Sequence, residues 1–550
     1  MFVSLTGDHL MADTVGEYLK TLMRNPKKRN NSFLRWPPDV FGLAGSLLQQ
    51  GGAYCSAVCE MDIPAGQDHN PESLEKWGRE WRKTLEKKKS PPKWVSNRWK
   101  EFVSCFGRPL QDAVADGAFR QLLLDILGTA DSACAGISAP DFDKSDALTE
   151  NSFLALVHDG TLATGLRPDK LRVLPKVHTP QVGMTLRSLS HNLALCPSGE
   201  VDCHWLPLPT EMAFKADDPR VNLLLIPRPY SLEPSVFAPV DQTRCGRSPL
   251  PGEFGFFKCI PPPALDWING ELAALLLSAQ TKEKSIHGVV LPEGSLASEG
   301  EFRELVTVVG KYFPNAFVLA GVVEEGIDGE GGARPARNKL CYEMPLIIDD
   351  PEGGKVHARV VQSKHHRWRL DKAQMKRYGI TTLDQGRLWW EHIDISNREL
   401  YVFSARSSFT FCFLICEDLA RQEPVAPLVR AIGPDLIIAL LQDGPQLEKR
   451  WPGRYATVLA EDPGSSVLTL SSLGMVRLSL PDAGPVVTPT TSRHCVGLWR
   501  DRTVAQELRL NESERAMIVR LRSERQTEYS ADGRRDSAAQ TLVLQECLCI

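Results

Sequence analysis

Three apolar runs in this chain each stop on a side chain that can do chemistry. FTFCFLICEDLARQE, residues 409–423, carries the thiol of Cys416 to the tip of a strand-forming run and sets Glu417 and Asp418 directly behind it. HGVVLPEGSL, residues 287–296, delivers Glu293, with Pro292 ending the ladder one residue earlier. KVHARVVQSKHHRW, residues 355–368, delivers Lys364. Singly, each has a plain explanation. A lone Cys in an apolar strand is usually a small buried hydrophobe, and Cys412 is read that way. Glu or Lys at a strand end is usually a surface charge. Together, acid, amine and thiol at corresponding strand ends are a narrower coincidence, because buried charges are costly unless paired or employed. The chemistry to weigh is nucleophilic catalysis by a thiol. Cys416 also precedes a predicted helix, whose positive end favours thiolate.

The elements that must position these residues alternate between strand and helix from Val221 onward. VNLLLIP (221–227), SIHGVVLPE (285–293), AFVLAGVVE (316–324) and PDLIIALL (434–441) read as strands. Helices are predicted around 266–280, 299–312, 420–432 and 454–461. MPLIIDD and KVHARVVQSK flank a turn at Pro351 to Gly354, a hairpin signal. Such a mixture predicts layered α/β with two sheets. Residues 1–135 read as mainly helical, including 39–50 and 120–126. Residues 136–217 read as a connecting or decorating segment with strands near 190–196 and 201–206. Residues 218–525 hold the α/β domain, and 526–550 read as a polar tail.

Bulk numbers exclude several classes. The 550 residues suffice for two or three domains, and 42% hydrophobic and 24% charged residues with a net charge of −4 describe an ordinary globular chain. The 14 cysteines form no dense framework, and the Cys55/Cys59 pair has no second pair to make a zinc site. No metal or cofactor is called for. The first residues lack a signal-peptide pattern, no apolar run reaches a membrane span, and the terminal CLCI lacks the polybasic segment that would support lipidation, so a cytoplasmic location without membrane attachment is expected. Between Glu72 and Glu101, ten Lys or Arg stand against five Glu with four tryptophans interleaved. The reading preferred is tryptophans facing a core and lysines in water; a nucleic-acid grip is the alternative.

VVLPEGSL, QSKHHRWRL and FLICEDL resemble, in this order, the three signature segments of the nitrilase or carbon–nitrogen hydrolase superfamily. The likeness spans roughly Val221 to Arg522, and the late segments RYATVLAEDPGSSVLTLSSLG and HCVGLWRD are similar as well. The resemblance implies an αββα sandwich, here preceded by the helical N-terminal region, and a Glu-Lys-Cys triad. Glu293 would be the general base, Lys364 the stabiliser of oxyanion and intermediate, Cys416 the nucleophile, and the backbone N–H of Glu417 an oxyanion donor. It further implies a small-molecule amide substrate, cleaved through a thioester, and a homo-oligomer.

Family members usually keep a second Glu soon after the Lys, whereas KHHRWRLDKAQMKRYGI has none; Asp371 and the more distant Glu391 are the candidates for that carboxylate. ICEDL resembles the form in the glutaminase domain of glutamine-dependent NAD synthetases, but no SGGxDS phosphate loop accompanies it. His365 and His366 are expected at the rim of the site, and Asp418 as a helix cap. The six Lys or Arg of that loop, with Trp368 and Tyr378, could face water, bind an anionic substrate or bind nucleic acid. A second expectation keeps the fold without turnover: a nitrilase-like binding or scaffold module whose helical front end engages a protein partner, in a setting such as the nucleic-acid-associated bacterial defence systems in which such domains occur.

Overall fold

The computed structural model describes residues 13–27, 30–59, 70–87, 89–139, 146–197, 199–208, 219–240, 254–327, 333–346, 356–405, 409–480 and 490–550. The turn expected at Pro351 to Gly354 lies outside them, as do the start of the chain and Lys88. By compactness the chain divides into two units, residues 1–199 with 527–539, and residues 200–526 with 540–550.

The first unit opens with helices α1 (Val15–Leu22), α2 (Pro37–Gln49), α3 (Ala53–Cys59), α4 (Pro71–Glu86), α5 (Lys93–Ser104), α6 (Leu110–Ala115), α7 (Gly117–Ala133) and α8 (Ala147–Asp159), followed by the antiparallel pair β1 (Leu171–Pro175) and β2 (Leu193–Pro197). Helix α7 is buried on almost every side, and α2, α4 and α5 pack on it, as an all-round apolar helix requires. Side chains of Asn70, Asp116 and Asp146 cap α4, α7 and α8. Of the four interleaved tryptophans, Trp81 and Trp99 are buried, while Trp77 and Trp94 stack on each other at 3.8 Å between ring centroids.

In the second unit the order is β3 (Asp202–Leu208), β4 (Arg220–Leu225), β5 (Phe237–Pro239), β6 (Phe254–Cys259), α9 (Leu265–Asn269), α10 (Glu271–Lys282), β7 (Gly288–Val290), α11 (Glu299–Tyr312), β8 (Phe317–Ile327), β9 (Ala333–Leu346), β10 (Val356–Ser363), β11 (Arg369–Leu370), α12 (Lys372–Arg377), β12 (Leu388–Glu391), β13 (Glu399–Ala405), β14 (Phe409–Ile415), α13 (Glu417–Ala420), α14 (Ala426–Ile432), β15 (Leu436–Leu441), α15 (Trp451–Glu461), β16 (Ser466–Ser471), α16 (Leu473–Leu478), β17 (Cys495–Arg500), β18 (Ala505–Arg509) and β19 (Met517–Arg525). The short β20 (Glu528–Tyr529) and β21 (Arg535–Asp536) pair with each other in the first unit, and β22 (Gln540–Cys549) returns to the second.

Two seven-stranded sheets, ordered β10-β9-β8-β7-β4-β19-β22 and β18-β17-β16-β15-β14-β13-β3, pack face to face. Their contact is aromatic: Phe317 stacks on Phe411 at 5.7 Å, and Tyr342 lies 4.4 Å from Phe403 and 5.4 Å from Phe413. Helices α9, α10 and α11 cover the outer face of the first sheet, and α15 covers β16 and β17 of the second. Central strands are therefore buried on both faces, which is why β7 and β15 read as unbroken apolar runs rather than alternating ones, while β16 is as fully buried with Ser and Thr at three of its positions. The unit is an αββα sandwich, with a smaller four-stranded sheet, β11-β12-β6-β5, beside it.

Several elements differ from expectation. The helix predicted over 420–432 is two pieces, because Pro424 interrupts it. The segment 136–217 is not one region: α8, β1 and β2 join the helical unit, while β3 becomes an edge strand of the second sheet, parallel to β13. Residues 526–550, expected as a polar tail, pair instead: β22 runs antiparallel to β19. The polarity that suggests a tail belongs to residues 526–539, whereas β22 carries Leu542, Val543, Leu544 and Leu548 among its polar residues, as an edge strand with one wet face does.

Candidate active site

Glu293, Lys364 and Cys416 meet. Each stands within a few residues after a strand, Glu293 after β7, Lys364 directly after β10 and Cys416 directly after β14. Lys364 Nζ donates to Glu293 Oε1 at 2.9 Å and to Glu391 Oε2 at 2.7 Å. Asn338, from β9, ties the two carboxylates together, its amide donating to Glu293 Oε1 at 2.7 Å and Glu391 Oε1 at 2.8 Å. Glu391 also accepts the Trp368 backbone N–H at 3.0 Å. All four side chains are buried. After burial itself, Glu293 and Lys364 are the groups that act most on the Cys416 thiol.

Local backbone explains how the residues reach one point. Glu293 sits against β8 so closely that a Cβ on Gly321 would lie 2.4 Å from its Cα, so only glycine fits there. Gly294, at φ 65°, turns the chain away immediately afterwards. Cys416, at φ 45° and ψ −105°, is the one positive-φ non-glycine among the described residues. A β-carbon in such a conformation costs about 1–3 kcal/mol, and it persists only where the surroundings hold it. Here β15 does so: the Cys416 N–H donates to the Leu440 carbonyl at 2.9 Å.

Charge decides the protonation states. Lys364, between two carboxylates, is held well above its ordinary range despite burial, so it stays an ammonium. Two carboxylates and one ammonium leave one negative charge uncompensated in a dry site. Burial first, and Glu391 next among the groups that raise it, therefore push Glu293 up, against the lowering pull of Lys364. Its Oε2 has no hydrogen-bond partner. Cys416 is 3% exposed, and burial followed by Glu293 raises its thiol well above the ordinary value. The expectation that the next helix favours thiolate is thus corrected: α13 is a single turn, too short for a substantial dipole, and burial outweighs it.

Other expected residues sort as follows. Of the two candidates for the further carboxylate, Glu391 is the one at Lys364. Asp371 is not: its side chain caps α12, accepting the Gln374 N–H at 2.8 Å. Asp418 does not cap a helix. Both its oxygens lie 3.2 Å from the His365 N–H, which joins the loop after Lys364 to the single-turn helix α13 after Cys416. Burial raises Asp418 well above the carboxylate range. The Glu417 N–H stands in the first turn of α13, where no intrahelical acceptor exists. His365 and His366 line a cavity of about 650 Å³ next to Glu417. Trp368 and Tyr378 are buried instead, packing with Phe237 and Phe257. Asn338 escaped sequence reasoning; its one signal is an amide in the middle of a long strand.

Comparison with known proteins returns no matching family model and no matching curated relative. Among solved structures, the chain is similar to Nit3 of Saccharomyces cerevisiae, a member of branch 10 of the nitrilase superfamily (13% identity, 56% of this chain and 92% of that one, TM-score 0.30). It is similar to a carbon–nitrogen hydrolase from Helicobacter pylori G27 (11%, 59% and 88%, 0.28) and to XC1258 of Xanthomonas campestris, a CN-hydrolase superfamily protein with an arsenic adduct in its active site (13%, 55% and 89%, 0.30). These structural neighbours are carbon–nitrogen hydrolases. Identities and scores this low leave the αββα sandwich and its site to stand on their own geometry. Among the described residues no helix is long and apolar enough to cross a membrane, and no cluster of side chains could hold a metal ion.

Proposed function

We propose that this chain hydrolyses non-peptide carbon–nitrogen bonds through a cysteine thioester, acting on an amide in preference to a nitrile. The observation that carries the reading is the Lys364 ammonium held between Glu293 and Glu391 beside a strained Cys416. The preference for amides follows the ICEDL form of the cysteine segment, which resembles that of an amide-cleaving glutaminase domain.

The thiol rests protonated, so attack requires a base at hand. Glu293 accepts the Sγ proton as the S–C bond forms, and its elevated proton affinity suits it to that exchange near neutral pH. The carbonyl oxygen becomes an oxyanion facing the Lys364 ammonium and the Glu417 N–H; one such donor is worth about 10²–10³ in rate. The C–N bond breaks as Glu293 returns the proton to the leaving nitrogen. Water, activated through Glu293, then cleaves the thioester, and acid and free thiol are released. Glu391 and Asn338 hold Lys364 and Glu293 in register.

A module without turnover was the alternative, motivated by the lack of a Glu soon after Lys364. Glu391, 27 residues further along, pairs with Lys364 and so supports turnover over such a module, while the long helical front end, the other ground for it, bears on neither reading. The test is ammonia release across an amide panel, with intact-mass detection of an acyl adduct on Cys416. Cys416→Ala should give neither. Ammonia release that survives Cys416→Ala, or an adduct spread evenly over several cysteines, would overturn the reading.

A further inference from the structure

The geometry points to a second, binding function for the cavity lined by His365 and Glu417, the chain neighbours of Lys364 and Cys416: a subsite for an anionic group, carboxylate or phosphate, carried by the amide substrate. The identification of the ligand as substrate rests on the hydrolase reading above; the anion site itself does not.

Two walls of the cavity are the residues that follow the chemistry, His365 after Lys364 and Glu417 after Cys416. A volume of about 650 Å³ suits a small molecule. Four arginines line it against two acids, and the acids are already committed. Glu417 pairs with Arg421, and Asp371 is spent on capping α12. Among the described residues Arg398 is paired only with Glu200, whose side chain is 74% exposed, a contact weak in water. Arg367 gives Nε and Nη2 to the Ile393 carbonyl and lies over Phe256, 5.3 Å from the ring centre. Arg369 lies 6.0 Å over Trp390 and has no carboxylate partner among the described residues. Guanidinium groups propped on rings are oriented before any ligand arrives, and they match carboxylate and phosphate geometry.

Unmet hydrogen-bonding capacity points the same way. The indole N–H of Trp390 and Nε2 of His366, both on lining residues, are buried without a partner. An indole nitrogen only donates, so an acceptor is what it lacks. A nucleic-acid strand fits less well. Binding one without sequence preference uses exposed aromatic platforms, and the loop's Trp368 and Tyr378 are packed inside.

The test is calorimetric titration of the full chain carrying Cys416→Ala, with succinate, inorganic phosphate and the neutral succinamide as probes. Succinate or phosphate should bind at least about tenfold more tightly than succinamide, and Arg369→Ala should remove about tenfold of that. Arg369 is exposed and gives up only a ring contact, so the variant folds; Arg369→Lys should restore part of the binding. The stronger of succinate and phosphate tells which anion the site takes. Equal affinity for succinate and succinamide, or no effect of Arg369→Ala, overturns the subsite. Affinity that climbs with oligonucleotide length and falls steeply with salt would also overturn it, assigning the surface to nucleic acid. Because no turnover is needed, a chain that binds anions but cleaves no amide would sink the hydrolase reading and leave the site standing.

Discussion

Each unit of this molecule buries a cation between two carboxylates, and the two clusters are built to opposite ends. In the helical unit Arg534 donates to Asp131 at 2.7 Å and Asp532 at 2.8 Å, and also to Ser132 and the carbonyls of Gly128 and Leu189. Asp131 in turn accepts the backbone N–H groups of His191, Asn192 and Leu193, each at 2.8 Å. Every strong donor has an acceptor, and Asp131 sits below the carboxylate range because Arg534 offsets its burial. Around Lys364 the pairing stops short: Glu293 keeps an oxygen without a partner, its proton affinity is raised, and a strained thiol stands alongside. Complete satisfaction builds structure. A cluster with the acceptors Glu293 Oε2 and Asn338 Oδ1 left unmet, next to a nucleophile, is poised to exchange a proton.

The contrast is broken most directly by removing the base. Glu293→Gln keeps shape and hydrogen bonding yet cannot take the Sγ proton, so amide turnover should fall by about 10²–10⁴ with little loss of stability. Turnover within a few-fold of the parent would show that another group serves. The matching change in the other cluster, Arg534→Ala, strands Asp131 and Asp532 in a dry interior and should cost about 3–5 kcal/mol, read as a lowered denaturation midpoint with faster amide exchange in α7. A loss under about 1 kcal/mol would mean that the completed network contributes little.

Asn338→Ala lies between these extremes. It leaves base, ammonium and thiol in place but unties Glu293 from Glu391. A loss of about 10–100-fold in kcat with KM nearly unchanged is expected, by analogy with the loss of outer partners at other preorganised sites. A rise in KM alone would place Asn338 at the substrate instead. Acid should separate the clusters as well. Glu293 must be ionised to act, and its pKa is raised, so activity should disappear as pH falls through values still above the usual carboxylate range, near 4.3. Asp131 is depressed, so the stability it contributes is full above the unfolded pKa and is lost only as pH falls through its lower folded value. Rate profiles and unfolding measured on the same preparation should show inactivation first, at the higher pH. The reverse order would contradict both assignments.

How much of this was readable depended on whether local pattern and tertiary demand agreed. The three strand ends were legible because β7, β10 and β14 are each followed within three residues by a side chain that can do chemistry, and α11 was legible because its apolar spacing and boundary residues coincide over Glu299–Tyr312. Glu391 was only one of two candidates, since Asp371 lies nearer in sequence and only the folded loop shows it turned to cap α12. Asn338 was missed because nothing local marks an amide that bridges carboxylates from β12 and the loop after β7. The expected tail failed for a related reason. Thr527 to Ala539 leaves one unit for the other and β22 returns, a path that pairing decides and hydropathy does not record.

The smallest expected effect tests whether the site needs a third ionised acid. Asp418 is fully buried where α13 meets the loop after Lys364, and burial holds it well above the carboxylate range, so its carboxyl should be neutral at working pH. Asp418→Asn preserves an acceptor for the His365 N–H and removes no charge from a group that carries none. Turnover should therefore change by less than about threefold, and the pH profile should keep its position. If Asp418 were ionised instead, Asn would remove a negative charge close to Lys364 and Glu293, favour ionised Glu293 and move the acid limb of the profile downward. The direction of that limb thus reports how many charges the cluster around Lys364 carries, independently of the size of the rate change.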